Sequence, residues 1–359
     1  MIIEAIRTYH ISKKLSRPLV NSVYSCTDIE HILVEVDAEG YTGIGYVYSF
    51  NKDQAKAIKT LIDGFVPNLI GKEADLIRSH WNYAKIIYGG IGHTGLQIIA
   101  WTAYDVAFWD LLSKRAGLPL YKMLGAARNE VPVYASGGFL VPVEQVVEEA
   151  VAFKEQGYRH YKMKVGHADY REDIRRIERV QAAVGNGMEI LVDANQGWSV
   201  ERAKRMAPLL LGLGITYLEE PLNAQDYQGY AELRKTTMID IVAGESLFTL
   251  TENFELMHRG GVSILNPDLQ RCGGITEFMQ VCSLANAYRI AVSSHIFTEV
   301  SVHLMAAVPT MLYAEYIPDW WAGIFEETLP VINGKVKLSD KPGIGIRFDH
   351  DFISAHLAT

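Results

Sequence analysis

Two rhythms of apolar and polar positions divide this chain. From Tyr158 onward, short apolar runs recur at near-regular intervals, each ending on a side chain that carries charge or moves protons. Ile190-Leu191-Val192 leads into Asp193, Thr216-Tyr217-Leu218 into Glu219, and Asp240-Ile241-Val242-Ala243-Gly244 into Glu245, so a carboxylate returns about every 26 residues. That spacing is one strand-plus-helix unit of a parallel α/β fold. Val262 to Leu265 leads to Asn266-Pro267-Asp268, Ile290 to Ser294 leads to His295, and Met311 to Ala314 leads to Glu315. Between the runs, Val200 to Leu211 and Glu252 to Arg259 carry apolar residues at helical spacing. Alternating units of this length predict a barrel of parallel strands with its active site at their carboxyl ends.

The first rhythm is different. Ile2 to His10, Ile32 to Val36 and Gly43 to Tyr48 read as antiparallel strands, with a turn at Asp37 to Gly40. Gln54 to Ile70, Asp75 to Ile87 and Gln97 to Ala116 read as helices, the last stopped by Gly117 and Pro119. Strands followed by helices predict an α+β unit ending near Leu124-Gly125-Ala126. In the tail, Asn333-Gly334 between two strand-like runs predicts a hairpin.

The strand ends supply the candidate chemistry. Asp193, Glu219 and Glu245 would share one rim, where each like-charged pair at about 4 Å and an effective dielectric of 20 costs about 4 kcal/mol. A divalent cation relieves that repulsion, and an all-oxygen ligand set suits magnesium, with manganese as the alternative ion. None of the eleven histidines forms an HxH or HExxH pair, which argues against zinc. Lys162 and Lys164 stand two apart on one strand and therefore face the same side. Asp268 and His295 at neighbouring strand ends would form a dyad in which the carboxylate sets the tautomer of the imidazole. With Lys164 opposite that dyad, a proton beside a metal-held carboxylate could be removed from either face, giving an enediolate.

Several other features have a plainer reading beside the functional one. Gly90, Gly92 and Gly95 match GxGxxG but follow a helix-like segment, without the strand a dinucleotide site requires. Glu220, Glu299 and His303 are as well explained by structure as by catalysis, Ser136 could reach a substrate, and Trp320 and Trp321 could wall a cavity or pack the tail. The segment Leu15 to His31, read as a capping loop, mixes Leu19, Val20 and Val23 with Arg17, Asn21, Tyr24, Asp28 and His31, with Tyr46 and Tyr48 following, which suits a substrate bearing several hydroxyls.

At 359 residues the chain exceeds what one core usually organises, so two domains are expected. Its net charge of -8 argues against a nucleic-acid partner. Cys26, Cys272 and Cys282 form no CxxC pair, which points to a reducing compartment, and the start Met1-Ile2-Ile3-Glu4 does not read as a signal peptide. No apolar run is long enough to span a bilayer, so a cytoplasmic protein is expected.

Together these motifs resemble the mandelate racemase subgroup of the enolase superfamily over nearly the whole chain. The likeness rests on Asp105-x-Ala107-x-Trp109-Asp110, Gly117-x-Pro119-Leu120, Leu124-Gly125, Lys162-x-Lys164, Asp193-x-Asn195, Glu219-Glu220-Pro221, Gly244-Glu245, Pro267-Asp268, Gly273-Gly274, Ser294-His295 and Glu315. The resemblance implies an α+β capping domain over a modified (β/α)7β barrel, assembled into homo-oligomers. On that plan residues 1–125 form the cap, 126–320 the barrel, and 321–359 a segment packing back on the cap. It also implies roles: Asp193, Glu219 and Glu245 hold the metal, Lys162 neutralises a substrate carboxylate, and Lys164 is a base. His295 with Asp268 is the opposing acid or base, Asn195 hydrogen-bonds near metal or substrate, and Glu315 donates to a carboxylate oxygen. The expected reaction is dehydration of an acid sugar to a 2-keto-3-deoxy acid. The alternatives are a 2-hydroxyacid racemase of mandelate type and a barrel that binds metal and carboxylate without turnover.

Overall fold

The computed structural model describes residues 1–358, and its first three strands are long. β1 (Ile3–Val20), β2 (Ser25–Ala38) and β3 (Tyr41–Ser49) form an antiparallel sheet in that order. Both faces are covered, so β2 is buried continuously from Ile29 to Val36 rather than at alternate residues. Ile32, Val34, Val36 and Val47 face one core with three helices, whereas Leu33, Ile44, Tyr46 and Tyr48 belong to the core shared with the barrel. The helices are α1 (Lys52–Leu69), α2 (Ile77–Tyr88) and α3 (Leu96–Arg115). Asn51 caps α1 by accepting a hydrogen bond from Gln54 N at 3.0 Å.

β1 and β2 extend well beyond the strands predicted from apolar runs. The stretch from Leu15 to His31, expected as a loop, is mostly a two-stranded ribbon closed by a short turn at residues 21–24. Only its inner face is apolar, through Leu15, Leu19 and Ile29, and a register shift between Lys14 and Leu19 breaks the alternation. A one-sided, bulged ribbon leaves a weak periodic signal.

After α4 (Leu120–Met123) the chain enters strictly alternating units. These are β4 (Glu130–Ser136), α5 (Val143–Glu155), β5 (His160–Lys164), α6 (Tyr170–Val184), β6 (Glu189–Asp193), α7 (Val200–Gly212), β7 (Tyr217–Glu219) and α8 (Tyr227–Thr236). β8 (Asp240–Ala243), α9 (Thr249–His258), β9 (Ile264–Leu265), α10 (Leu269–Cys272), α11 (Ile275–Ala287), β10 (Ala291–Ser294), α12 (Thr298–Ala307) and β11 (Met311–Tyr316) complete the series. Each strand from β4 to β11 pairs in parallel with the next, and β11 pairs with β4, so eight strands close a barrel. Seven helical crossovers join them, and the eighth strand is followed directly by the single turn α13 (Pro318–Trp321) rather than by a crossover helix, which makes the fold a (β/α)7β barrel. Asp169, Ser199 and Asp226 cap α6, α7 and α8 with their side chains. β12 (Val331–Ile332) and β13 (Lys335–Lys337) form the expected hairpin, and β13 adds antiparallel to β4. α14 (His350–Ala355) leads to an end that lies along β1, with Ser12 N donating to His356 O at 3.1 Å and Ala358 N to His10 O at 2.8 Å. No helix among the described residues is long and apolar enough to cross a membrane.

Helix α3 joins cap to barrel. Its carboxylate Asp105 accepts from Thr276 N at the start of α11 at 2.9 Å, and Trp109 Nε1 donates to Thr276 Oγ1 at 2.9 Å. Asp110 accepts from Ile44 N in β3 at 2.9 Å and from Ile344 N in the tail at 2.8 Å. On its cap side α3 touches β3 backbone to backbone: a Cβ built at Gly45 would lie 1.8 Å from Ala103 O. Gly274 is equally constrained, having φ of +102° and space for a Cβ only inside the Asp105 carboxylate.

Two expectations on stability follow. Gly45→Val should destabilise the fold by about 3 kcal/mol or prevent folding, because overpacking of this kind costs at least about 1–3 kcal/mol. Gly64→Ala, in α1 with nothing within 4 Å of the new Cβ, should stabilise by about 0.5–1 kcal/mol. Urea unfolding of both variants measures the contrast. At the start of α12, Glu299 is buried beside Tyr46, whose hydroxyl is 3.5 Å away, and burial pushes its carboxyl up to about 7. The unfolded chain ionises this group near its ordinary value while the folded chain keeps the proton, so stability should fall as pH rises from about 4.5 to about 7 and then level off. Relative to the parent, Glu299→Gln should gain about 2–3 kcal/mol of stability between pH 5 and pH 8 in urea titrations.

Candidate active site

The acidic strand ends converge. Asp193 closes β6 and Glu219 closes β7, paired in register, while Glu245 follows β8 by two residues. One oxygen from each lies within 4.8 Å of the other two, and all three side chains are buried. Burial pushes the Glu219 carboxyl well up, against the pull of Lys162 and with the push of Asp193 and Glu245. Glu245 is held below the usual range despite its burial, chiefly by His295 and Lys162. One carboxyl high and one low is how like charges share a site.

The lysines of β5 supply the nearest positive charge. Lys162 is fully buried, with Nζ 2.6 Å from Glu219 Oε1, 2.9 Å from Glu315 Oε1 and 3.4 Å from the Tyr134 hydroxyl, so its three protons all have partners. Burial lowers the pKa of this ammonium, but Glu219, Glu315 and Asp193 outweigh that and raise it. Lys164 Nζ lies 2.5 Å from Asp193 Oδ2; burial opposes its charge and Asp193 restores it. Glu315, also buried, lies 2.9 Å from Lys162 Nζ, and Lys162 and His295 hold its carboxyl below the usual range in spite of burial.

Opposite the lysines, His295 Nδ1 is 2.6 Å from Asp268 Oδ2, which leaves Nε2 towards the cavity, 3.3 Å from Glu245 Oε2. Burial disfavours the imidazolium, yet Glu245 and the Asp268 hydrogen bond raise its pKa. Asp268 also caps α10 by accepting from Arg271 N at 2.8 Å, and Arg271 Nη1 donates to Glu245 O at 2.7 Å. Arg271 was not among the expected site residues, although its place three positions after Asp268 on a capped turn is a readable signal. Asn195, at φ +44°, donates from N and Nδ2 to Asp193 at 2.8 and 3.1 Å, while its Oδ1 is buried without a partner.

Lys164, Asn195, Glu245, Arg271, His295 and Glu315 all line one small cavity of about 30 Å³, with room for little more than a water molecule. Its roof comes from the β1–β2 ribbon and the segment after β11. Asn21 and Tyr24 offer polar groups there, whereas Leu19, Tyr48, Phe50, Phe139, Ile317 and Trp320 are apolar or aromatic. The lid is therefore mixed, more apolar than the ribbon's sequence suggested. At its tip Ser22 donates to Ala194 O at 2.8 Å and sits where a Cβ on Gly166 or Gly197 would collide with it. Flanking the roof are two larger grooves, of about 490 and 610 Å³.

Other candidates fall elsewhere. Ser136 lines the larger groove rather than the closed cavity. Glu220 turns aside to accept from Ser246 Oγ at 3.0 Å. His303 ties Tyr121 N to Ile344 O and Trp321 packs on His31 and Tyr46, both structural placements. Gly90, Gly92 and Gly95 lie in the turn between α2 and α3, with no strand before them.

All of the expected ligand atoms are hard oxygens, and the buried carboxylates Asp193, Glu219, Glu220, Glu245, Asp268 and Glu315 outnumber the fixed cations Lys162, Lys164 and Arg271. Such a set fits a divalent cation such as magnesium. Comparison with known proteins agrees in architecture. Residues 3–125 match the N-terminal domain of the mandelate racemase / muconate lactonizing enzyme family, and residues 145–352 match the enolase C-terminal domain-like family. An L-talarate/galactarate dehydratase of Salmonella typhimurium is 35% identical over 324 residues, covering 89% of this chain and 80% of that protein. A 3,6-anhydro-alpha-L-galactonate cycloisomerase of Streptomyces coelicolor is 33% identical over 356 residues, covering 98% of each. The crystal structure of the Salmonella dehydratase liganded with Mg and L-lyxarohydroxamate superposes with a TM-score of 0.95 at 30% identity, over 99% of this chain and 93% of that one. With its cap and its barrel each matched in turn, the chain belongs to the mandelate racemase / muconate lactonizing enzyme family of the enolase superfamily.

Proposed function

We propose that this protein is a magnesium-dependent acid-sugar dehydratase, converting an aldonate or aldarate to its 2-keto-3-deoxy acid. The observation that carries the reading is the small cavity lined by Lys164, Glu245 and His295, beside which Asp193 and Glu219 complete a carboxylate triad and Asp268 pairs with His295. The similarity to an L-talarate/galactarate dehydratase supports the same class of substrate. Residues 1–125 would cap the site, 126–320 carry its chemistry, and the tail return to the cap. The exposed Ile86, Ile87 and Ile91 would suit contact between copies in a homo-oligomer.

Asp193, Glu219 and Glu245 would hold the ion. When bound, it would stabilise negative charge on the substrate carboxylate and compete with Lys164 for Asp193. Lys162, committed to Glu219 and Glu315, acts as a buried positive charge below the substrate rather than as a direct ligand. Lys164 or His295 removes the α-proton, giving an enediolate. His295, whose Nε2 faces the cavity, then donates a proton to the departing β-hydroxyl, and the resulting enol tautomerises to the keto acid. The orphaned Oδ1 of Asn195 is free to accept from a substrate hydroxyl. Arg271, Asn21 and Tyr24 would satisfy others.

A second reading is favoured by the apolar roof around Phe50, Phe139 and Trp320. A substrate with fewer hydroxyls, such as an anhydro-sugar acid undergoing cycloisomerisation or a 2-hydroxyacid undergoing racemisation, would suit that wall. Incubation with a panel of acid sugars, anhydro-sugar acids and mandelate in heavy water with magnesium separates these readings. Keto acid from an open-chain sugar acid supports dehydration; an isomer of unchanged composition, or α-deuterium with inversion and no keto acid, supports the second reading. Neither outcome across the panel would leave only a non-catalytic barrel. On the substrate that is turned over, His295→Asn and Lys164→Met should each lower kcat by about 10²–10⁴, the usual contribution of one acid or base, while magnesium binding followed by calorimetry persists.

A further inference from the structure

We infer that Tyr217 is a positioning residue for the metal site, fixing the carboxylate of Glu219 from below; this rests on the reading of Asp193, Glu219 and Glu245 as metal ligands. Tyr217 and Glu219 stand two apart on β7, so both point into the barrel, with the phenol one layer beneath the carboxylate. The hydroxyl donates to Glu219 Oε2 at 3.2 Å, while Lys162 Nζ holds Oε1 at 2.6 Å. Each oxygen of Glu219 therefore carries one anchor from the protein, which sets the plane of the carboxylate and leaves its other lone pairs towards Asp193 and Glu245. A carboxylate at the end of a glutamate otherwise rotates broadly about its last torsion.

The phenol is itself held. Its ring meets Tyr134 at 6.3 Å and 61°, edge to face, and both rings sit in the barrel interior among Leu191, Val242 and Ile264. Tyr134 meets Tyr313 at 6.2 Å, and the Tyr313 hydroxyl lies 3.0 Å from His160 Nε2. The floor thus offers no space for Tyr217 to swing away. Tyr134 serves a different partner, since its hydroxyl lies 3.4 Å from Lys162 and is not hydrogen-bonded to any of the three ligand carboxylates. Hydrogen bonds of this kind to metal-binding side chains typically set affinity by 10- to 100-fold.

The test is magnesium binding by the full chain, measured by calorimetry, for the parent, Tyr217→Phe and Tyr134→Phe. Phenylalanine keeps both rings and deletes one hydroxyl. Tyr217→Phe should weaken magnesium by about 10- to 100-fold, Tyr134→Phe by less than about 3-fold, and circular dichroism should show both folded. With substrate, excess magnesium should restore most of the kcat lost by Tyr217→Phe, which damage to packing alone would not allow. Unchanged affinity in Tyr217→Phe, equal losses in both variants, or loss without metal rescue would each overturn the inference. If the parent itself binds no magnesium, the metal reading of the site fails instead.

Discussion

Carboxylates crowded at one buried rim repel, and the arrangement of the barrel mouth answers that repulsion. Asp193, Glu219 and Glu245 sit on consecutive strand units, within 4.8 Å of one another, where water screens little. Lys162 and Lys164 turn to Asp193 and Glu219, His295 approaches Glu245, and Arg271 spans the backbone of Glu245 and the side chain of Asp268. Every basic group at the mouth is placed by an acidic one. The proton carriers are therefore arrayed around the seat of the cation by the same charges that create it.

The cap contributes enclosure rather than charge. Its sheet is two-sided, one face in the helical core and the other closing the barrel, so the cavity roof is continuous with a large packed region. Helix α3 carries this coupling through Asp105, Trp109 and Asp110, whose side chains reach α11, β3 and the tail. Those residues belong to the motif Asp105-x-Ala107-x-Trp109-Asp110, far from the rim, and their chemistry is mechanical. A rigid roof matters to proton abstraction because excluding water strengthens each electrostatic contact inside.

Legibility from sequence tracked how local the signal was. The barrel was readable because each strand from β5 to β11 spans only two to six residues and has a charged or proton-carrying group at or near its end. Asp193, Glu219, Glu245, Asp268 and His295 could be named from that repeat alone, and the structure brings them together. Their chemical roles rest on the family likeness, and the approach of Glu315 to Lys162 at 2.9 Å is a contact the repeat could not encode. The β1–β2 ribbon was read as a loop because one-sided burial and a register shift blur a period-two pattern. Tyr217 escaped for another reason: a tyrosine in a strand is ordinary until distances show what it touches.

The ribbon tip meets the barrel through the Ser22 hydroxyl in a notch between two glycines and through Val20 O, which accepts from Leu140 N at 2.8 Å, whereas the carboxylates and bases are wired into the strands. Cover and charge thus reside in parts of the chain with unequal freedom to change. Residues 21–24 carry none of the charges at the rim, so the cover of the cavity can be rewritten, lengthened or re-angled while the strand-borne carboxylates, lysines and histidine keep their places.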